Sequence, residues 1–151
     1  MIDPETAALV AEIRAEYSGC FACGATNPVG LHLDPADLDG DEAVAHYRPS
    51  DHHAGAGETL HGGLAATVLD EIMVWAGILS HWVLAVTGTM DLRYRRPVSV
   101  GDEITVRGRV DERSGSRLRC SGRLEIGGVT AVTARGLYLV SRTFVRSSET
   151  S

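Results

Sequence analysis

Three groups of residues in this 151-residue chain have types and spacings that could do chemistry. The first is His61-Gly62-Gly63, which opens a long apolar run carrying Asp70 and Glu71 side by side in its middle. A carboxylate can take a proton from water or attack a carbonyl carbon itself. The first turn of a helix leaves N–H groups without intrahelical partners, and these carry partial positive charge. Glycine there lacks a Cβ, so a carbonyl oxygen can come close to them. The second group is Cys20-x2-Cys23, which with His32 or His52 could bind zinc, but no second cysteine pair exists and the segment reads as a loop rather than a zinc knuckle, so no metal is expected there. The third is the basic cluster Arg93, Arg95 and Arg96 just before Pro97. His52, His53 and His61 are also close in sequence, but no compact ligand spacing follows, and no metal is expected.

Asp70 lies eight residues beyond Gly62. In one helix that is about 12 Å along the axis at 1.5 Å per residue. A carboxylate and an amide so far apart on the same helix cannot both touch one reacting carbon. Glu71 is about 100° further round the helix and faces elsewhere.

The elements that must position these groups are legible from periodicity. Residues 3–17 predict an amphipathic helix with Asp3 as N-cap, Pro4 at the first helical position and a stripe of Leu9, Ile13 and Tyr17. A loop rich in turn residues follows, then a hairpin-like pair around an acidic turn, stopped by Pro49. Residues 50–60 form a loop without periodicity. The run from about Gly62 to Ser80 is apolar round nearly its whole circumference, which predicts a buried helix that something must wrap. Four strand-like runs supply the wrapping: residues 82–97, 102–112, 116–127 and 128–144. In the first three, apolar residues such as Leu92, Val106 and Leu118 alternate with Arg93, Arg107 and Arg119. This is a sheet with one face on the core and one in water. The last run is more uniformly apolar, as expected of a central or interface strand. The predicted class is α+β: an antiparallel sheet of five or six strands curled round one buried helix, with an extra N-terminal helix. Residues 1–17 and 18–146 form one domain, and residues 147–151 are expected to fray.

The bulk properties exclude some functions. Net charge is −6, which disfavours nucleic acid as a general partner. The charge is uneven: residues 1–92 hold 14 acidic residues and two arginines, residues 93–151 hold 12 arginines and six acidic residues, and there is no lysine. The C-terminal part can therefore hold a local anion site, although most of its arginines suit a solvated sheet face. No basic segment precedes an apolar one at the N-terminus, so a signal peptide is not expected. Asp70 and Glu71 interrupt the longest apolar run, which argues against a membrane span. Three cysteines without an export signal predict a reducing, cytoplasmic setting. Cys120 alternates with core positions and reads as a buried apolar residue.

At "HGGLAATVLDE" the chain resembles the hotdog-fold thioesterases, in particular the PaaI-like acyl-CoA thioesterases of the phenylacetate-pathway type. The family pattern of His-Gly-Gly, an apolar helix and a carboxylate nine residues after the His is matched by His61, Gly62, Gly63 and Asp70. The resemblance extends through "CFACGATNPVGLHL", "HAGAGETLHGG" and "TGTMDLRYRRPVSVGDEI", over roughly residues 18–142; the N-terminal helix departs from many short members. It implies hydrolysis of an acyl-CoA thioester, with Asp70 as base or nucleophile and the Gly62–Gly63 amides as oxyanion donors. It also implies sites shared across the twofold axis of a homodimer, which removes the 12 Å conflict, and it is compatible with pairing of dimers into tetramers. Thr87 stands where members often carry a Ser or Thr bonded to the attacking water or the carboxylate. His53 matches a loop His at the site mouth, and His61 orders the helix entry. Glu71, facing elsewhere on the helix, is expected to be a structural neighbour of Asp70, paired with an Arg or His. Arg93, Arg95 and Arg96 are the candidates to meet the phosphates of coenzyme A. No cofactor is expected, since coenzyme A is part of the substrate, and an acyl carrier protein is an alternative bearer of the acyl group. The competing readings are a non-catalytic acyl-CoA- or acyl-carrier-binding protein, and a hotdog dehydratase or hydratase built on a His–carboxylate pair.

Overall fold

The helix over residues 62–80 forms as the periodicity demands and organises the rest. In the computed structural model, which describes residues 1–149, it runs Gly62–His81. In chain order the elements are α1 (Pro4–Glu16), β1 (Asp37–Asp39), β2 (Glu42–Tyr47), α2 (Gly62–His81), β3 (Val83–Tyr94), β4 (Ile104–Ser114), β5 (Arg117–Ile126) and β6 (Val129–Thr143). The six strands make one antiparallel sheet in the order β1-β2-β4-β5-β6-β3, curled round α2. This is the hotdog fold with an added N-terminal helix. By length and composition α2 would suffice to cross a membrane, but here its apolar side chains are covered by the sheet. Val68, Leu69, Ile72, Met73, Trp75, Ile78 and Leu79 are almost wholly buried, each worth about 1.5–3 kcal/mol relative to exposure.

The sheet reaches the helix through two glycines. Gly108 of β4 and Gly122 of β5 are register partners. A Cβ on Gly108 would lie 2.9 Å from the Ile72 carbonyl oxygen, and one on Gly122 would crowd the Arg107 carbonyl oxygen at 3.1 Å and touch Leu69 and Met73 at 3.4 Å. The missing side chains let the middle of α2 lie directly on the strands. That seat fixes the position of residues 69–73, Asp70 among them.

The other predicted elements form with local differences. Asp3 caps α1, its Oδ1 accepting from the amides of Glu5 and Thr6 at 3.0 and 2.9 Å. The buried stripe is Thr6, Leu9, Val10 and Ile13, while Tyr17 sits past the helix end and is exposed. The hairpin around Gly40 is shorter than its sequence suggests, because Leu31 and Leu33 enter the core from the preceding loop. The segment over residues 50–60 has a turn at Asp51–His53 and a bridge between Ala54 and Leu60. Among the tail residues, Ser147–Glu149 form a 3-10 turn, with the Ser147 amide on Glu5 Oε1 at 2.5 Å. The rest of the expected frayed tail, residues 150–151, lies outside the described residues. Strand β6 is interior, paired on both sides, as its apolar run implies.

On the solvent face, Arg107 and Arg123 clasp Glu42 and Glu125, and Arg107 also meets Asp39 at 2.9 Å. Hydrogen bonding from Arg123 holds the Glu42 carboxyl below its ordinary value of 4.5. A depressed carboxylate contributes stability above its unfolded pKa and loses it as pH falls through the folded one. Stability is therefore expected to fall below about pH 4.5, less steeply in Glu42→Gln, as read by urea denaturation across pH. Gly108→Ala is expected to cost about 1–3 kcal/mol by overpacking. Gly19→Ala, where nothing lies within 4 Å, should stay within about 0.5 kcal/mol in the same assay.

Candidate active site

Asp70 is on the flank of α2 that faces β3 and β6. Its Oδ1 accepts two hydroxyls, from Thr87 at 2.8 Å and from Tyr138 at 2.7 Å. No cation pairs with it among the described residues. Two charge-assisted hydrogen bonds hold the carboxylate plane and leave Oδ2 to act on something else. Tyr138 is fully buried in β6. Burial first, and the Asp70 charge second, push its phenol well above the usual range, so it stays a donor. The ring fits because residue 136 is glycine: a Cβ there would lie 2.5 Å from Tyr138 Cε2. Thr87 is exposed on β3, the edge strand, so the carboxylate lies at the open margin of the sheet.

The start of α2 is a second, separate centre. His61 is the N-cap, and its Nδ1 accepts the Gly63 amide at 2.9 Å. The Gly62 amide donates to no group among the described residues. Tyr94, at the end of β3, donates from its hydroxyl to the Gly62 carbonyl at 2.6 Å and pins this turn. Gly62, Tyr94, Arg95 and Arg96 line one cavity of about 330 Å³. Asp70 does not line it, as eight residues of helix require.

The remaining candidates divide. His53 packs behind the helix start: its Nδ1 takes the Tyr47 hydroxyl at 2.8 Å and the Ser50 amide at 3.1 Å, and its carbonyl takes the His61 amide at 2.9 Å. Burial lowers its pKa, which favours the neutral ring. Among the described residues Glu71 finds neither an Arg nor a His. Its Oε1 accepts the Trp75 indole N–H at 3.0 Å and lies 3.9 Å from Cys20 Sγ, on a side of α2 covered by the loop over residues 18–33. Burial, then the Glu71 charge, raises the Cys23 thiol there. Cys120 is buried, its thiol pushed up to about 12. Arg93 does not reach the Gly62 cavity: with Arg109, Arg123, Arg135 and Arg95, which lines both, it lines a groove of about 590 Å³ on the outer sheet face. Tyr138 and Tyr94, which hydrogen-bond Asp70 and Gly62, are the side chains of this region that periodicity misses. Tyr138 looks like any core residue of an apolar strand, and alternation places Tyr94 inside, whereas it is 56% exposed.

Known proteins agree with this architecture. The thioesterase superfamily profile matches residues 57–133, about half of the chain, and the chain belongs to that superfamily. Among solved structures, the PaaI protein of the Escherichia coli phenylacetic acid degradation operon is 19% identical, with 93% of this chain and 97% of that chain covered and a TM-score of 0.76. A further thioesterase superfamily protein is 20% identical at a TM-score of 0.75, over 80% of this chain and 62% of its own. A Streptococcus mutans protein bound to acetyl CoA is 18% identical at a TM-score of 0.69, over 75% of this chain and 91% of its own. At these identities the likeness is one of fold. A search of curated protein sequences returned no match.

Gly136→Ala is expected to force the Tyr138 ring off Asp70 and to cost about 1–3 kcal/mol. Tyr138→Phe keeps the packing and removes only the hydroxyl. The two variants should therefore separate clearly in denaturant midpoint.

Proposed function

We propose that this chain hydrolyses acyl-CoA thioesters at two equivalent sites, each shared between the subunits of a homodimer. The observation that carries this is the Asp70 carboxylate, held by two hydroxyls at the open edge of the sheet with one oxygen unengaged. The edge strand supports the dimer. β3 is 12 residues long, contains no proline and exposes Val86. Such an edge is normally covered or blunted, and antiparallel pairing with a second β3 would cover it. The twofold axis would then set one subunit's Asp70 opposite the other's Gly62.

In this site the Gly62 N–H receives the thioester oxygen and holds the negative charge that develops on it. Asp70 Oδ2 takes a proton from water as the hydroxide attacks, or itself attacks to give a mixed anhydride that water then opens. Collapse of the tetrahedral species breaks the carbon–sulfur bond, and the thiolate of coenzyme A leaves and takes up a proton. Gly63 keeps the first turn clear for the His61 cap rather than contacting substrate. Arg95 and Arg96 stand beside the Gly62 cavity, where the phosphates of coenzyme A would be met. The arginine groove on the outer face suits an acidic acyl carrier as an alternative bearer. The dehydratase or hydratase reading has less support, because among the described residues His53 and His61 hydrogen-bond no carboxylate. A cytoplasmic setting remains part of the proposal, resting on cysteine usage.

The test is thiol release from short, medium, long and aromatic acyl-CoAs, with acyl-carrier thioesters in parallel. Asp70→Asn should abolish turnover. Gly62→Pro removes the N–H and adds the bulk of its ring beside it, with the backbone kept, since proline is well tolerated at the first helical position and His61, at φ −56° and ψ 128°, already has the backbone that precedes proline. It should lower kcat about 100- to 1,000-fold. Thr87→Ala should cost less than either. Single turnover in 18O-water separates the two roles of Asp70, with label entering the carboxylate only by the anhydride route. Tight binding of an acyl-CoA without any cleavage would instead favour the non-catalytic reading.

A further inference from the structure

Cys20 and Cys23, read from sequence as a loop with no metal, are brought by the fold to Glu71 rather than to a histidine. One ligand atom from each of Cys20, Cys23 and Glu71 lies within 4.8 Å of the others, and all three residues are half-buried. Ligands about 2.1–2.3 Å from a tetrahedral zinc ion lie roughly 3.5–3.8 Å apart. A contraction of about 1 Å, within reach of side-chain rotation, therefore closes the set.

Three features favour an ion here over a chance meeting of polar groups. Glu71 is a carboxylate on an otherwise apolar helix and has no cation partner among the described residues, so a divalent cation supplies the missing charge. Its carboxylate is already oriented from outside the cluster by the Trp75 indole N–H at 3.0 Å, the kind of outer contact that fixes a ligating carboxylate. The loop that presents the two thiols is tightly built. The Gly24 amide bonds to the Cys20 carbonyl at 2.8 Å, and the amides of Leu31 and Leu33 bond to the carbonyls of Phe21 and Ala22 at 2.8 Å. Any Cβ on Gly24 would collide with Ser18 O and the Cys20 backbone, so the turn needs glycine there.

We infer that Cys20, Cys23 and Glu71 form a zinc site that pins the loop over residues 18–33 to the middle of α2. Two thiolates select a soft divalent ion such as Zn²⁺ over Mg²⁺ or Ca²⁺. A water in the adjoining cavity of about 190 Å³, which Cys23 lines together with His32, completes the tetrahedron. The ion is structural. Asp70, about 100° round the helix from Glu71, turns to Thr87 and Tyr138 instead, so metal uptake is tested separately from the proposed hydrolysis.

The test uses the full chain, purified under reducing conditions and analysed for metal by plasma mass spectrometry, then stripped with chelator and titrated with Co²⁺. About one Zn²⁺ per chain is expected. Cobalt should give thiolate-to-metal charge-transfer bands and the intense visible bands of a tetrahedral ion. Cys20→Ser and Cys23→Ser should each reduce the charge-transfer intensity, and the double variant should abolish it. Trp75→Phe should keep the stoichiometry and weaken binding about 10-fold or more. Circular dichroism of each variant establishes that it has folded. Zn²⁺ should raise the melting temperature of the stripped wild-type protein but not that of the double variant. Failure of the folded, reduced wild-type chain to take up either ion would overturn the inference. So would a cobalt spectrum that survives the double variant.

Discussion

A rigid helix holds its first turn and its ninth residue about 12 Å apart, and nothing in the chain can shorten that distance. α2 is rigid because it is buried, and it is buried because the sheet closes on it through Gly108 and Gly122. The arrangement places a free helix-start amide at one location and a hydroxyl-bound carboxylate at another. In the proposed function each is one half of a shared site. The long edge strand β3 carries Thr87 against the carboxylate and Tyr94 against the helix start, so the element open to a second copy of the chain is also the one that orders both halves.

The two adjacent carboxylates of α2 illustrate how neighbours in sequence become unrelated in space. Asp70 turns toward β3 and β6, where hydroxyls hold it without neutralising it. Glu71 turns toward the loop over residues 18–33, where an indole and two thiols surround it. Each has a reason to be on an apolar helix, and the reasons differ. The arginines divide in a similar way. Arg107 and Arg123 are occupied by Glu42 and Glu125 and knit strands β2, β4 and β5 together, whereas Arg95 and Arg96 face the cavity at Gly62.

Much of the fold was legible in the sequence because it rests on local rules. The Asp3 cap, the span of α2 and the four long strands follow from capping chemistry and from periods of 3.6 and 2. The pairing of Thr87 with Asp70 was anticipated only through family resemblance. What stayed hidden depends on tertiary geometry. Tyr138 reads as core because burial and hydrogen bonding to a carboxylate leave the same mark on a strand. Tyr94 breaks the inward alternation because β3 has passed the edge of the core by that point and its hydroxyl reaches the helix start. The approach of Glu71 to Cys20, 51 positions away in the chain, and the role of the Gly108–Gly122 pair follow from packing that no local pattern encodes.

Mixing two inactive variants tests the shared site most directly. Asp70→Asn and Gly62→Pro chains, exchanged into heterodimers, contain one site with both lesions and one with none. With statistical exchange about a quarter of wild-type activity should return, rising from nearly zero in each parent. If sites lie within single chains, every site keeps one lesion, and a mixture no more active than its parents, with subunit exchange verified by mass spectrometry, would contradict the account.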